Sequence, residues 1–371
     1  MLIRVLIRSL LAVTLWAVAA GAQAQVTGIS GSVADHQVVT ISGSGFGTKP
    51  NGAKPYAFFE FGRGQASASS YSRTAWGAPA SGVFNSTMAA PNSKGSWEYR
   101  IGVDNGDVYS GGGGAGTRFT PGPAGRDLYV YYRLYMNWDG VDQANARSDW
   151  NLKGFRMWSK DTTVPDLVLG YADSQTDGNP RVLAEDTMNT TLWLSGVQGI
   201  IKNSWKVEEI TMRQSSSVGS ADAFWQLTSN GINSPTYSNL VTRTSSYPGP
   251  YTDLFWHQSE RTGFGSSSGK FIAYDLVYID DSWARVVVTN SSTWNTSSGV
   301  KVEIQVPVTW SNNQIQFLVR QGALDSLSGK YLYVINSSGT PVSTKGFPLT
   351  GGSAPSSGPV QPNPPTDVTV Q

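Results

Sequence analysis

Residues 36–47 read His-Gln-Val-Val-Thr-Ile-Ser-Gly-Ser-Gly-Phe-Gly, an alternating segment that runs into a turn punctuated by glycines. Alternation with a period of two predicts a β-strand, and closely spaced glycines predict a tight turn after it. Similar strand signals return about 250 residues later, at 302–319 and 331–336. The two ends of the chain therefore match each other, and the middle follows a different pattern.

The segments at the two ends resemble one immunoglobulin-like domain of the IPT/TIG type. That family opens with a "vtIsGsGFG" strand and turn, as in residues 36–47, and closes with a hairpin of the form "yVvN-x-x-G". The later segments that carry the resemblance are 302–307, Trp310, 315–319, 331–336 and Ser338-Gly339. The resemblance implies a discontinuous β-sandwich built from residues 26–50 and 286–350, with residues 51–285 as an insertion that carries the function.

The first 24 residues have the features of a secretory signal peptide. Arg4 and Arg8 give a positive start, 10–19 is apolar, and Ala22-Gln23-Ala24 is a small-x-small cleavage site. We therefore predict a secreted chain, extracellular or periplasmic, that begins at Gln25 and does not insert into a membrane after cleavage. The chain has no cysteine, so no disulfide framework is expected.

The composition favours an all-β protein that does not bind nucleic acid or an acidic membrane surface. A net charge of +1 and 14% charged residues argue against nucleic acid as a partner. The chain is rich in Gly (41), Trp (13) and Tyr (16), and its short β-rich runs are separated by turns, which is typical of a sandwich. Residues 351–371 are rich in Gly, Ser and Pro and predict an extended tether. Their ending, 365–370, resembles the first strand of a fibronectin type III domain cut short, and the composition favours the alternative of a solvated tail.

The clearest strand signal of the insertion lies at 127–138. Alternation places Val130, Leu134 and their even-numbered neighbours on one face, which suits a core. The other face carries phenol rings, a guanidinium and an amide, and such groups are costly to bury without partners. We therefore predict that this second face is the half-wet floor of a ligand groove, formed by Tyr129, Tyr131, Arg133, Tyr135 and Asn137.

Three further segments, at 153–158, 205–213 and 222–227, repeat the division into an apolar and a polar-aromatic face. Sugar rings pack their C–H faces on aromatic side chains, while amides, guanidinium groups and carboxylates bind the hydroxyls. The groove is therefore expected to bind an extracellular polysaccharide. The additional ligand-binding residues that this predicts are Arg156, Trp158, Glu209, Arg213, Phe224 and Gln226.

The order Trp205, Glu208-Glu209, Asp222, Trp225, Asn230-Gly231 resembles the "W…vE…dG…w.NG" run of concanavalin-like jelly rolls. Such domains occur in secreted polysaccharide lyases and in laminin-G-like and pentraxin-like lectins. Residues 270–280 resemble the closing strand of that fold, although Ala223 stands where the pattern prefers Gly. The resemblance implies a jelly-roll sandwich over residues 51–285 and identifies no catalytic set.

Enzymatic function is left open by the sequence. A glycoside hydrolase of this fold needs two carboxylates on one sheet face, whereas Glu208 and Glu209 are adjacent and point to opposite faces. A polysaccharide lyase needs a group that neutralises the uronate, a base and an acid, and Arg133, Tyr135 and His257 offer those groups. A structural or adhesive surface protein is the third alternative.

Metal and cofactor signals are weak. No cofactor is predicted, and the chain has no Cys and only two His, so a zinc site is not credible. The oxygen-rich turn that contains Asp173 and Asp177 is a weak candidate for structural calcium. Asx turns explain the same residues without an ion.

Overall fold

The computed structural model shows an all-β protein, as predicted, and no helix occurs among the residues that it describes. Accordingly, none of the described segments is a helix long and apolar enough to cross a membrane. The described residues are 25–60, 71–74, 78–80, 99–102, 115–119, 122–123, 125–136, 151–158, 166–172, 181–184, 190–193, 202–246, 248–261 and 271–349.

Both ends of the chain combine in a seven-stranded antiparallel sheet, which we call the end sheet. Its strand order is β1-β2-β20-β19-β18-β21-β22. The strands are β1 (Gln25–Ser30), β2 (Val38–Ser44), β18 (Arg285–Thr289), β19 (Val302–Trp310), β20 (Gln314–Leu318), β21 (Tyr331–Ile335) and β22 (Phe347–Pro348). The two ends of the chain thus come together, while the assignment of this sheet to the IPT/TIG family remains a prediction.

An eight-stranded sheet, the central sheet, has the order β14-β13-β12-β7-β17-β3, with β15 beside β13 and β5 beside β17. Its strands are β3 (Ala57–Glu60), β5 (Tyr99–Gly102), β7 (Asp127–Met136), β12 (Ser204–Arg213), β13 (Ala223–Ser229), β14 (Ile232–Asn233), β15 (Tyr237–Leu240) and β17 (Phe271–Asp280). Neighbouring strands are antiparallel.

A second seven-stranded sheet, the distal sheet, has the order β11-β10-β9-β8-β16-β6-β4. Its strands are β4 (Ala78–Ala80), β6 (Ala115–Phe119), β8 (Asn151–Trp158), β9 (Asp166–Ala172), β10 (Arg181–Ala184), β11 (Thr190–Trp193) and β16 (Asp253–Arg261). From β3 to β8 the chain alternates between the central and distal sheets, which is the connection pattern of a jelly roll.

The inner faces of this jelly roll are buried, and most of their described side chains are apolar. On the central sheet, Val130 and Ile210 are fully buried and face each other in register across β7 and β12. On the distal sheet, Phe119, Leu254 and Met157 form one paired row and are also buried. Burial of apolar side chains on facing sheets is the main stabilising term of a sandwich.

The end sheet packs on the outer face of the central sheet. In β18, Val286 and Val288 belong to a core cluster inside the end sheet, whereas Val287 belongs to a second cluster that includes Tyr131 and Tyr278 of the central sheet. Successive side chains of a strand point to opposite faces, so one strand can serve two cores. The end sheet therefore covers the face of the central sheet that carries the tyrosines.

Candidate functional site

The phenol rings predicted to line an open groove are buried. Tyr129 and Tyr131 have no exposed surface, and they pack against Val287, Ile304 and Tyr333 of the end sheet. The prediction of a water-lined groove at these two residues is therefore wrong. The alternation of the strand was read correctly, but the polar-aromatic face is covered by a further layer of protein instead of solvent.

Partners from the end sheet and from the neighbouring strand satisfy the phenol hydroxyls. Tyr131 donates to Glu303 Oε2 at 2.8 Å and to the carbonyl of Val302 at 3.0 Å, and Tyr129 donates to Glu209 Oε2 at 2.5 Å. Burial, followed by the adjacent carboxylates, raises the pKa of both tyrosines well above the ordinary value. Both rings therefore stay neutral hydrogen-bond donors, and this is how a row of tyrosines can be buried at low cost.

The other residues predicted on this face have structural roles in the same layer. Glu209 is buried beside Tyr129, and Phe224 packs against Trp283 with ring centroids 5.3 Å apart. Arg213 forms an ion pair with Asp127 at 2.6 Å. Gln226, on the adjacent strand β13, donates to Thr236 at 2.8 Å. Glu209 is buried, whereas ligand binding by Arg213, Phe224 and Gln226, which are partly exposed, stays a prediction.

The main anchors of the junction between the central and end sheets lie outside the predicted motifs. The indole of Trp283 donates to the carbonyls of Met212 and Leu128 at 3.0 and 3.2 Å, and the Arg213 guanidinium lies 4.3 Å from its ring. Lys49 and Asp280 form a fully buried ion pair. Trp283 follows a strand in a short connection without periodicity, so only its size and apolar character hinted at burial.

Burial gives the junction a carboxyl with an unusual proton affinity. Desolvation outweighs the charge of Lys49 and raises the pKa of Asp280 to about 6. Tyr278, which donates to Asp280 Oδ2 at 2.7 Å, has its own pKa raised by burial and by that carboxylate. This network helps to fix the relative position of the two sheets, because the buried carboxyl of Asp280 at the end of β17 pairs with Lys49, which follows β2.

Arg133 and Tyr135 lie farther along the same face, at its edge, and both are largely buried. The guanidinium carbon of Arg133 lies 5.5 Å from the ring centroid of Trp205, and the ring of Tyr135 lies 5.6 Å from it. The Tyr135 hydroxyl donates to Asn203 Oδ1 at 3.1 Å. These contacts form a packed aromatic–guanidinium cluster, and only Trp205 and Asn203 retain more than a little exposed surface.

Three other predicted residues lie on the distal sheet. Arg156 and Trp158 are on β8, and His257 is on β16. One row of paired residues across this sheet runs through Arg118, Phe255, Arg156 and Val168. It alternates with the buried row of Phe119, Leu254 and Met157 and therefore belongs to the opposite face of the sheet. The side chains of Arg156, Trp158 and His257 lie outside the described part of the chain.

The proposed lyase set of Arg133, Tyr135 and His257 is not brought together at one groove. Arg133 and Tyr135 lie on β7 of the central sheet, on the face that meets the end sheet, whereas His257 lies on β16 of the distal sheet. The side chain of His257 lies outside the described part, so the catalytic roles of the three residues stay a prediction. Strand alternation indicated which residues share a face within one strand, but it carried no information about which strands share a sheet.

A polar cluster that the sequence did not single out lies on the inner face of the central sheet. Lys206 Nζ lies 2.5 Å from Glu208 Oε1, both side chains are almost completely buried, and the Tyr132 hydroxyl donates to Glu208 Oε2. Tyr132 also packs edge-to-face with Tyr274. A buried carboxylate requires such pairing, so the cluster is explained by charge compensation within the sandwich.

Several predictions fall on residues outside the described part. They concern Asn137, the calcium candidates Asp173 and Asp177, the signal peptide and the tether. Within the described ranges, no group of three or more His, Cys, Asp or Glu side chains is arranged to hold a metal ion.

No protein-family model matches the sequence, and a comparison with curated proteins finds no match. Solved structures similar to this chain include an alginate lyase from Aplysia kurodai, with a TM-score of 0.41 and 13% identity over 61% of this chain and 99% of that one. Alginate lyase Aly36B has a TM-score of 0.38 and 13% identity over 62% and 95%. An endo-β-1,4-glucuronan lyase from the fungus Trichoderma reesei has a TM-score of 0.36 and 8% identity over 62% and 97%. These values describe distant similarity of fold, and no functional residue is carried over from these proteins.

Proposed function

We propose that this chain is a secreted polysaccharide-binding protein that holds its ligand across the outer face of the distal sheet. The observation that carries the proposal is the paired row of Arg118, Phe255 and Arg156, on the face opposite the buried apolar row. The end sheet covers the outer face of the central sheet at Tyr129 and Tyr131, and the inner face belongs to the sandwich core.

The residue types in this row suit a sugar chain. Guanidinium groups bind carboxylates and hydroxyls through several donors in a fixed plane, and an aromatic ring between them offers a surface for the C–H face of a sugar. Trp158 and His257 each follow the row by two residues along their strands, at Arg156 and Phe255 respectively. Alternation assigns Trp158 to the same face as Arg156. The register of β16 with β6 shifts between Trp256 and Ser259, so alternation does not fix the face of His257.

Binding is tested by titrating the protein with alginate, pectin, glucuronan, a glycosaminoglycan and a neutral glucan by calorimetry. We expect binding to at least one polymer, and Arg156→Gln should weaken it about 10- to 100-fold, as for the loss of a charge-assisted hydrogen bond. Lys301→Gln is the matched control, because it removes one positive charge from the exposed surface of the end sheet. Equal losses in both variants, or silence across the panel, would refute the proposal.

A polysaccharide lyase is the second candidate, and it is favoured by the position of His257 on the same strand as Phe255. In β-elimination the arginines of the row would neutralise the uronate carboxylate and His257 would remove the C5 proton, while a C4=C5 double bond forms, the C4–O bond breaks and the leaving oxygen takes a proton from water. The same titrations followed by ultraviolet absorbance separate the candidates. A lyase produces an unsaturated, absorbing product that His257→Ala abolishes, whereas a binding protein produces none.

A further inference from the structure

The end sheet has two free edges that approach each other without pairing. Its terminal strands are β1 and β22, and within the described residues each pairs on one side only, β1 with β2 and β22 with β21. A cleft of about 240 Å³ lies between them, lined by Gln25 and Val26 on one side and by Phe347 and Pro348 on the other. Residues of both terminal strands therefore line the same cleft.

The two edges differ in the backbone hydrogen bonds that they can form with a further strand. Pro348 has no backbone N–H, and β22 is only two residues long, so this edge provides little for a hydrogen-bonded ladder. Strand β1 is six residues long and contains no proline. Unpaired N–H and C=O groups on such an edge are a template for an added strand. The cleft also has an apolar wall, made by Val26, Val342 and Phe347, which are all partly buried.

We propose that residues 366–370 of the same chain, Thr-Asp-Val-Thr-Val, add to β1 in this cleft and complete the end sheet. The segment alternates, so that Val368 and Val370 share one face and can cover the apolar wall, while Asp367 and Thr369 face the other way. The chain leaves β22 at Pro348, on the rim of the cleft itself. The connecting residues 350–365, rich in Gly, Ser and Pro, span about 20 Å or more even as a relaxed coil.

Tethering favours this occupant over a free peptide or a second molecule. A segment that is joined to the rim of its own cleft by a short connection rich in Gly, Ser and Pro is present at a high effective concentration. Its addition would also protect the free edge of β1 from pairing with other molecules, which is the usual hazard of an exposed edge strand.

The test is amide hydrogen exchange on the full chain, followed residue by residue by NMR. We expect the outward-facing amides of β1 and those of 366–370 to exchange on the order of tenfold or more slowly in the wild type than in a Val368→Asp/Val370→Asp variant. Val360→Asp, a change of the same kind within the tether, should leave β1 unaffected. The protection should also be independent of protein concentration.

Two results would overturn the proposal. Exchange of 366–370 at the rate of an unstructured peptide in the wild type, or equal β1 protection in the double variant, would show that this segment does not occupy the cleft. Protection that falls on dilution would assign the added strand to a second copy of the chain.

Discussion

Tyr131 joins two sheets through a single hydroxyl group. It donates to Glu303 and to the carbonyl of Val302, both on the end sheet. Tyr131→Phe would leave a buried carboxylate with one donor fewer, and we expect the free energy of unfolding to fall by about 1–3 kcal/mol. Chemical denaturation measures this change, and polysaccharide binding should be unaffected.

Tyr331→Phe is the matched control for this prediction. Tyr331 packs against the same core cluster, but no hydrogen bond of its hydroxyl to a described residue occurs. Its replacement should change the unfolding free energy by less than about 0.5 kcal/mol. Equal effects of the two substitutions would contradict the role given to the Tyr131 hydroxyl.

Asp35 makes the fold sensitive to acid. Burial alone would raise the pKa of Asp35, but the hydrogen bond with His36 and the positive charge of Arg320 lower it to about 2 from the ordinary 3.8. A carboxyl with a lowered folded-state pKa stabilises the fold above its unfolded-state pKa, and this contribution is lost as the pH falls through the folded-state value. The contribution of Asp35 is therefore complete above about pH 4 and disappears towards pH 2.

We expect Asp35→Asn to flatten the dependence of unfolding free energy on pH between about 4 and 2, as measured by urea denaturation at a series of pH values. Asp325→Asn, at an exposed ion pair with Lys301, is the control and should leave the slope nearly unchanged. A slope that is the same in wild type and Asp35→Asn would refute the assignment.

At the scale of elements, the turn between β13 and β14 fits closely against the end sheet. Gly231 has a φ of 81°, and a Cβ at this position would lie 2.2 Å from the carbonyl oxygen of Val300. Gly299 has a similar φ of 88°, with no atom within 4 Å of its Cβ position. We expect Gly299→Ala to cost about 1–2 kcal/mol of stability through backbone strain alone.

Gly231→Ala should cost more than Gly299→Ala in the same thermal or chemical unfolding experiment. It adds a clash with a backbone atom of the neighbouring sheet to the same conformational strain, and a backbone atom cannot move aside as a side chain can. Equal costs would mean that the turn and the loop at Val300 do not pack as closely as the structure shows.

The strands were the part of the fold most accessible from sequence. Alternation at 127–138 predicted strand β7 and the division of its residues between two faces. Val130 and Leu134 lie in the core, as that division predicts. It could not show what covers the other face, because a buried tyrosine with a partner and an exposed tyrosine give the same pattern. The partner, Glu303, lies 172 residues away in the chain.

The sequence alone could not show where the candidate site lies, because it does not show which strands share a sheet. Arg133 and Arg156 are both flanked by aromatic residues on their strands, and each was a reasonable groove residue. The strand order separates them, since β7 is in the central sheet and β8 in the distal sheet. Sheet membership is decided by contacts between segments far apart in the chain, and local patterns do not record it.

At the scale of the whole molecule, one core cluster joins the central and end sheets, and it contains Tyr131, Leu276, Val287 and Ile304. Disrupting either sheet would expose the apolar surface of the other. We therefore expect the end sheet and the jelly roll to unfold in one cooperative transition by calorimetry, with equal calorimetric and van't Hoff enthalpies. Two separable transitions would show that the junction is a weak domain contact.

The tyrosine face of β7 packs against the end sheet. We propose that the ligand binds across β8 and β16 of the distal sheet. Hydrogen exchange with and without the best-binding polysaccharide from the titration panel tests this most directly. We expect ligand-dependent protection at 151–158 and 253–261, with no change at 127–136. Protection confined to 127–136 and its partner strand at 204–213 would contradict it.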